Sequence, residues 1–226
     1  MPEAKVPETK VPEAEAVQQK NQKPGKNRKK REGCGRKRMS EGVAFISEKL
    51  AAQCSPVIKG IKPSNLLMLR DYGAGEGWWL VRRALWGTSL EAKCLYGTSQ
   101  TSMWLVYRKD LLGDQLDGRE QKQFLEAYGY QTGSLPILLG RLSERLGSYK
   151  RGEQEFPHEL GVFLGYPMED VRGFISHKGK DSICTGYWKV YGNAVQARRL
   201  FALYDDARED VSRRMKQGLG LKQIAV

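Results

Sequence analysis

Apolar positions along the first half of the chain form two kinds of pattern, one at helical spacing and one in short apolar runs. Residues 41–53 carry apolar side chains at helical spacing after a candidate N-cap at Ser40, and this predicts a helix. The runs 91–96 and 102–108 are rich in aromatic and aliphatic residues and are separated by a short segment that begins with Gly97. Two such runs on either side of a glycine-containing connection predict a β-hairpin.

A strand and a helix are predicted between these elements. Residues 65–70 favour a short strand, and residues 77–85 favour a helix. The apolar face of that helix includes Trp78 and Trp79. We expect both tryptophans to lie in the core rather than to form a stacking platform.

The second half of the chain is mostly helical in pattern. Glycines and prolines divide it into predicted helices at 109–116, 118–129 and 134–148, short helices that open at Pro157 and Pro167, and a long helix capped by Asn193. A further strand is predicted at about 187–191. With the hairpin at about 91–108 it would form a small, mostly antiparallel sheet covered by several helices. The predicted class is α+β, as a single domain over residues 40–226.

The first 39 residues have a different texture. PEAKV, PETKV and PEAEA follow one another at a five-residue period. Segments so rich in Pro, Glu and Lys bury too little apolar surface to offset the entropy of ordering. Residues 1–39 are therefore predicted to be a disordered tail.

Positive charge is concentrated in this tail. The formal net charge is +12, and residues 1–40 hold 12 Lys/Arg against 5 Glu, with nine of those Lys/Arg between Lys23 and Arg38. The segment 23–38 is a candidate contact for nucleic acid or the ribosome, with an affinity that falls steeply as salt rises. The alternative is a solvated tail, because no aromatic residue is interleaved to stack on bases. The candidate nucleic-acid-binding residues are Arg28, Lys29, Lys30, Arg31, Arg36, Lys37 and Arg38.

Composition favours a cytoplasmic protein with no membrane association. Hydrophobic residues make up 40% of the chain, and the mean hydropathy is −0.57. No apolar run approaches the roughly 18 residues that span a bilayer, and the N-terminus is too polar for a signal peptide. The four cysteines lie far apart without a CxxC pair, so we expect reduced thiols.

A glycine-rich segment, residues 71–77, points to one enzyme class. Its acidic-x-Gly-x-Gly-x-Gly pattern resembles the first motif of S-adenosylmethionine-dependent methyltransferases. However, Arg70 interrupts the preceding strand, and the next strand ends at Tyr96-Gly97 with no acidic residue to hold a ribose. The helical pattern after residue 109 also leaves no alternation of strands and helices. The methyltransferase is therefore the least favoured hypothesis.

The segment 156–193 contains both histidines and one cysteine, which raises the question of a metal. His158-Glu159 resembles the start of a zinc-peptidase helix, but the second histidine of that motif is replaced by Val162. No two of the candidate metal-ligating residues lie close together in the sequence, so the sequence does not identify a metal or any other cofactor. By composition alone, the candidate ligands of a zinc-like ion are Cys54, Cys184, His158 and His177.

A thiol and a base would permit nucleophilic catalysis if the fold brought them together. Cys54 follows a helix, and His158 stands near the start of another, where a histidine tends to stay neutral and suits a general base. Glu159 is adjacent, but neighbouring side chains on a helix diverge by about 100°, so it orients His158 poorly. The alternative is that Cys54 is a small buried hydrophobe and His158 a polar group at a helix start.

The aromatic strand at 187–191 is a candidate ligand-binding face. Tyr187, Lys189 and Tyr191 share one side, and Trp188 lies on the other. An aromatic–lysine–aromatic face suits a planar or anionic ligand, and all four residues are candidates for binding it. The alternative is a half-buried sheet with an extended lysine.

Several unusual short sequence motifs occur in the same order as in one bacterial family. They are FPHELG (156–161), FLGYP (163–167), DVRGFI (170–175) and GYWKVY (186–191), preceded by CSP (54–56), GIKP (60–63), Leu66 and VYR (106–108). Over about residues 41–205 the chain resembles the family catalogued as domain of unknown function 3793, seen mainly in anaerobic Gram-positive bacteria. The resemblance implies no assigned activity. It adds weight to the residues within the family motifs, namely Cys54, His158, Glu159, Tyr187, Trp188 and Lys189.

The sequence favours a cytoplasmic binding or regulatory module for an unknown small molecule or protein. Its site would lie where the turn at Cys54, the helix start at His158 and the strand at 187–191 converge. One alternative is a thiol-dependent hydrolase or transferase that uses Cys54 and His158. Another is a nucleic-acid-associated protein that acts through the basic tail. Whether the protein is an enzyme is left open.

Overall fold

The computed structural model describes residues 31–131 and 133–225, with side chains from Met39 onward. The helices are α1 (Arg31–Gln53), α2 (Ser55–Ile58), α3 (Ala74–Ala84), α4 (Lys109–Asp117), α5 (Arg119–Ala127), α6 (Leu135–Lys150), α7 (Leu160–Phe163), α8 (Met168–Ser176), α9 (Ala194–Lys216) and α10 (Leu221–Ile224). The strands are β1 (Ser64–Leu69), β2 (Glu91–Gly97), β3 (Ser102–Tyr107), β4 (Cys184–Thr185) and β5 (Lys189–Val190). Each segment predicted as a helix or strand overlaps one of these elements.

The predicted hairpin forms the centre of the main sheet. Strands β2 and β3 pair antiparallel, β1 pairs antiparallel with the other edge of β3, and the strand order is β1-β3-β2. Leu67 lies opposite Trp104 in one ladder, and Cys94 lies opposite the same Trp104 in the other. Every neighbouring pair in this sheet is thus antiparallel, as predicted.

Side chains of β3 alternate between two hydrophobic clusters. Trp104 and Val106 pack in a cluster with α1, α2 and α3, whereas Leu105 and Tyr107 pack in a second cluster with α4 to α8. This is the period of two that a strand imposes, and it means that helices cover both faces of the sheet. The α+β class is confirmed.

The strand predicted at 187–191 is shorter and lies in a second, separate sheet. Lys189–Val190 pairs with Cys184–Thr185, and this two-stranded sheet does not join the β1-β3-β2 sheet. Pairing stops because the neighbouring polar groups bind elsewhere: the Tyr191 amide donates to the Asp170 carboxylate at 2.7 Å instead of extending a ladder.

The N-terminal end of α1 lies earlier than the sequence predicts. The helix begins at Arg31, so Ser40 lies within it rather than at its N-cap. The predicted disordered tail falls largely on residues 1–30, which lie outside the described residues. The side chains of Arg31, Arg36, Lys37 and Arg38 are likewise outside the described part, so their contact with nucleic acid stays a prediction.

The glycine-rich segment 71–77 allows α3 to pack closely against the β2–β3 hairpin. It connects β1 to α3, where the Ala74 amide donates to the Thr98 carbonyl at 3.1 Å. A β-carbon on Gly73 would clash with the backbone of Ser99. Because the sheet that follows is antiparallel, this loop does not open the doubly wound parallel sheet that the methyltransferase motif requires.

The expectation that Trp78 and Trp79 lie in the core is wrong. They are 41% and 69% exposed, and their rings contact each other edge to face at 4.7 Å. The buried side of α3 is formed instead by Leu80, Val81 and Ala84. Since successive residues turn by about 100° around a helix, these buried positions direct the preceding tryptophans outward.

Within the described residues, no helix has the length and apolar character needed to cross a membrane.

Candidate ligand-binding cavity

A cavity of about 520 Å³ brings together two of the predicted site segments. One wall comes from residues 156–166 and α8, the other from residues 185–189, and Leu66 of β1 closes one side. His158 therefore lies in the same cavity as the segment Tyr187-Trp188-Lys189. The structure thus joins the two ends of the 156–193 segment around one shared space.

His158 is held on the cavity wall by two aromatic rings. Its ring centroid lies 5.4 Å from that of Phe156 and 5.4 Å from that of Phe174. The imidazole is half-buried between these two residues. Aromatic packing of this kind fixes the direction of the ring while leaving its nitrogen atoms for a ligand.

The opposite wall is formed by the β4–β5 hairpin. Trp188 is buried and stacks on Tyr166 with a centroid distance of 5.1 Å and an interplanar angle of 28°. Tyr187 donates from its hydroxyl to Asp205 of α9 at 2.8 Å. Lys189 is exposed at the rim and donates to the Gly179 carbonyl at 2.6 Å.

Tyr191 departs from the predicted ligand-binding face. It does not line the cavity; its ring stacks on His177 at 5.4 Å, and its hydroxyl is buried without a hydrogen-bond partner in the described residues. Trp188, predicted to lie on the opposite face from Tyr187 and Lys189, lines the cavity with them. The short length of β5 explains this, because regular alternation of sides requires a continuous strand.

Asp170 anchors the hairpin wall, a role that the sequence pattern did not reveal. One carboxylate oxygen accepts from the Trp188 indole at 2.6 Å, and the other accepts from the Tyr191 and Gly192 amides at 2.7 and 2.9 Å. Glu169 adds a bond from the Asn193 amide at 3.0 Å. Both acids lie in the first turn of α8, where the helix dipole favours negative charge, so the sequence pattern gave no reason to expect a second role. The one sequence signal for such a role was that Asp170 lies in a family motif.

The packing of the β4–β5 hairpin on α8 explains a glycine in one of the family motifs. Gly173 faces the hairpin, and a β-carbon added there would clash with the side chain of Tyr191. The motifs DVRGFI and GYWKVY therefore form the two sides of one packed interface. Some of the family motif residues thus serve to dock the hairpin on α8 rather than to act in the cavity.

Glu159 points away from the cavity and into a buried ion pair. Its carboxylate accepts from Arg145 and from the hydroxyl of Tyr130 at 3.1 Å, and its second oxygen has no partner among the described residues. Burial, together with the adjacent Glu159 carboxylate, raises the pKa of Tyr130. Glu159 does not orient His158, in agreement with the divergence expected of adjacent helical side chains.

Cys54 belongs to a different hydrophobic cluster from the apolar residues that line the cavity with His158. Its side chain is fully buried in the cluster that includes Leu50 and Leu67, and it does not line the cavity. Burial raises the pKa of its thiol to about 12. A thiol in such surroundings stays protonated near neutral pH and is a poor nucleophile.

Lys62 is a buried titratable group that sequence reasoning missed. It is 2% exposed, donates to the Asn65 side chain at 2.6 Å, and lies 5.2 Å from the Tyr166 ring centroid. Burial lowers its pKa to about 8, while the nearby Cys54 opposes that shift. Lys62 packs on the ring of Tyr166, and that ring in turn stacks on Trp188 of the cavity wall.

The candidate metal ligands do not converge. No group of three or more His, Cys, Asp or Glu residues in the described part of the chain is arranged to hold a metal ion. His177 packs on Tyr191, and Cys184 lies in β4, while Cys54 is in the core.

Comparison with known proteins adds one match. A family model described as "Protein of unknown function (DUF3793)" matches residues 50–225. No curated protein and no solved structure matches the chain.

Proposed function

Since this chain belongs to the DUF3793 family of proteins of unknown function, we propose a function from the cavity alone. The protein binds a small organic molecule that has an aromatic or aliphatic body and one anionic group. The observation that carries this proposal is the pairing, in one cavity, of an apolar wall with His158 and Lys189.

The apolar part of the ligand is set by the cavity wall. Leu160, Leu164 and Val171 line it together with the rings of Phe156 and Phe174. Its volume of about 520 Å³ lies within the range of roughly 300–1,000 Å³ that is typical of small-molecule sites. A ligand with a flat or branched hydrocarbon body buries its surface well against such a wall.

The anionic group is favoured by the polar residues of the same cavity. Lys189 brings a positive charge, and His158 brings nitrogen atoms that donate when protonated. Among the described residues that line the cavity, Asp170 is the one acidic residue; it accepts three hydrogen bonds from the protein, so its oxygens are already engaged. Donors at the mouth of an apolar pocket select a carboxylate over a neutral group.

A regulatory role fits the construction of the hairpin wall. Residues 184–190 form only a two-stranded sheet, which alone is marginally stable and depends on α8 and α9 for support. A ligand that contacts both Trp188 and α8 strengthens this docking, because it binds only the docked form. We place this binding module in the bacterial cytoplasm. The free thiols of Cys54, Cys94 and Cys184 support that compartment.

A thermal-shift screen with matched ligand pairs tests the proposal. Aliphatic and aromatic carboxylates are compared with the corresponding primary amides, and we expect the carboxylates alone to raise the melting temperature. Lys189→Met removes the charge and keeps an aliphatic side chain, so it should weaken carboxylate binding about tenfold. The control is Lys180→Met, an exposed lysine that does not line the cavity. Equal shifts by acids and amides would reject the anionic group, and no shift by any compound would reject the site.

A further inference from the structure

The amine of Lys62 is buried without an acidic partner among the described residues. The side chain is 2% exposed, and its amine donates to the Asn65 side chain at 2.6 Å. A buried charge is stable only when an opposite charge or several hydrogen bonds replace the water that it has lost. The described part of the protein therefore holds a positive charge that the anionic group of a ligand would balance.

Two tyrosine rings stand where a carboxylate would be expected. The Lys62 amine lies 5.2 Å from the ring centroid of Tyr166 and 5.8 Å from that of Tyr204. An aromatic face attracts a cation, but it stabilises an ammonium less than a full negative charge does. The cost of burying the charge is only partly offset, which agrees with the lowering of the Lys62 pKa to about 8.

Tyr166 connects Lys62 to the ligand-binding cavity. Its ring contacts Lys62, stacks on Trp188 at 5.1 Å and lines the cavity. Leu66, four residues after Lys62 in the chain, lines the cavity as well. Lys62 itself is not part of the lining. A ligand in the cavity therefore does not touch Lys62, but it contacts a ring on which Lys62 packs.

We propose that Lys62 is the counter-charge of the ligand's anionic group and acts on it through the Tyr166 ring. This inference rests on the proposed function, since it requires an anion in the cavity. Across one ring, two unit charges in a protein interior of effective dielectric constant about 20 attract each other strongly enough to change an affinity about tenfold. Binding then favours the charged form of Lys62, so the protein takes up a proton together with the ligand.

Lys62 is the member of its cluster that changes charge near pH 8. The other titratable groups that face it are Cys54 after α1, Tyr166 after α7 and Tyr204 of α9. Burial raises the pKa of each of these three groups to about 12, so they stay neutral at pH 8. The titratable side chains on the cavity side are His158, Asp170, Tyr187 and Lys189. They are the same in the wild type and in a Lys62 variant.

The coupling has a defined pH window. Below pH 8 Lys62 is charged before and after binding, so its contribution to the affinity is complete. Above pH 8 the free protein has released a proton that the complex holds, so the affinity for a carboxylate falls as the pH rises. Neutral ligands show no such dependence on Lys62, because they carry no charge for it to balance.

Isothermal titration calorimetry in two buffers of different ionisation enthalpy counts the protons. The probes are 3-phenylpropionate and octanoate, with their primary amides as neutral matches. At pH 8.5 we expect the carboxylates to bind with uptake of about half a proton, and the amides to bind without uptake if they bind at all. Lys62→Met should abolish the uptake and should weaken carboxylate binding about tenfold at pH 7.

Two further lysine variants separate Lys62 from a general loss of positive charge. Lys189→Met removes the exposed amine at the rim and should weaken carboxylate binding while the proton uptake persists, because an amine in water stays charged at pH 8.5. Lys93→Met changes an exposed lysine of β2 outside the cavity and should alter neither the affinity nor the proton count.

The outcomes distinguish this inference from the proposed function. Carboxylate binding without proton uptake, or uptake that persists in Lys62→Met, would overturn the role of Lys62 and leave the cavity as an anion site. A Lys62→Met protein that binds carboxylates as tightly as the wild type at pH 7 would overturn it too. If neither carboxylate binds to the wild type, both proposals are wrong.

Discussion

The indole N–H of Trp188 donates to the carboxylate of Asp170 at 2.6 Å, and both side chains are buried. This bond joins two segments that are eighteen positions apart in the chain. Because Trp188 also stacks on Tyr166, the same contact sets one wall of the cavity. The docking of the β4–β5 hairpin and the shape of the site are therefore one structural feature.

Removing that carboxylate should loosen the hairpin. Asp170→Ala leaves the Trp188 indole and the Tyr191 and Gly192 amides without their acceptor, so we expect a loss of about 2–4 kcal/mol in the free energy of unfolding. Urea denaturation followed by tryptophan fluorescence measures it. Asp206→Ala changes an exposed aspartate on α9 and should stay within about 0.5 kcal/mol of the wild type. Equal stability of the two variants would contradict the anchoring role.

Two helical glycines should respond in opposite directions to the same substitution. Gly173→Ala pushes a β-carbon into the Tyr191 side chain and should destabilise the protein by about 1–3 kcal/mol. Gly140→Ala lies within α6 with no atom close to the new methyl group, and it should stabilise by about 0.5–1 kcal/mol. Thermal unfolding of both variants measures the difference. A gain in stability for Gly173→Ala would show that the hairpin does not press on α8.

The buried amine of Lys62 should make stability rise with pH. Burial lowers its pKa from 10.5 in the unfolded chain to about 8 in the fold. Between these values the unfolded chain holds a proton that the folded protein has released, so the free energy of unfolding increases as pH rises from 8 toward 10.5. Below pH 8 both states are protonated, and the full cost of the buried charge remains.

Lys62→Met should therefore stabilise the protein at pH 7, by an amount on the order of 2 kcal/mol, and should remove the upward slope. The clearest window is about pH 8 to 9. Above about pH 9 the unfolded Cys54 thiol ionises while the buried one, with a pKa near 12, does not, and stability falls for that separate reason. Lys93→Met alters an exposed lysine on β2 and should leave the slope unchanged. Urea midpoints across this range provide the measurement, and a wild-type slope in Lys62→Met would refute the assignment.

Cys54 should resist alkylation in the folded protein. Its thiol is fully buried and its pKa is raised to about 12, whereas Cys184 is only half-buried. Iodoacetamide labelling at about pH 7.5, followed by peptide mass spectrometry, should modify Cys184 first and Cys54 only after denaturation. Rapid labelling of native Cys54 below the ordinary thiol pKa would instead restore the thiol-dependent enzyme with Cys54 as its nucleophile.

Much of the local structure follows from the hydrophobic pattern. The hairpin at 91–108 was predictable because two aromatic- and aliphatic-rich runs flank a glycine-containing connection, and the helices after residue 109 because glycines and prolines mark their ends. The N-cap of α9 was also predictable, since Asn193 accepts from the Gln196 amide at 3.0 Å in the expected way. The start of α1 was not, because the helix passes Ser40, the local residue that favours a cap, and begins at Arg31.

The sequence by itself therefore determined the α+β class, the order of the main elements and the family. Only the tertiary structure decided which of its residues share a space. It places His158 with Lys189 in one cavity, Cys54 in the core, and Trp79 on the surface. The physical reason is that local patterns report which side of an element is buried. Packing between distant elements decides which exposed or polar side chains then meet.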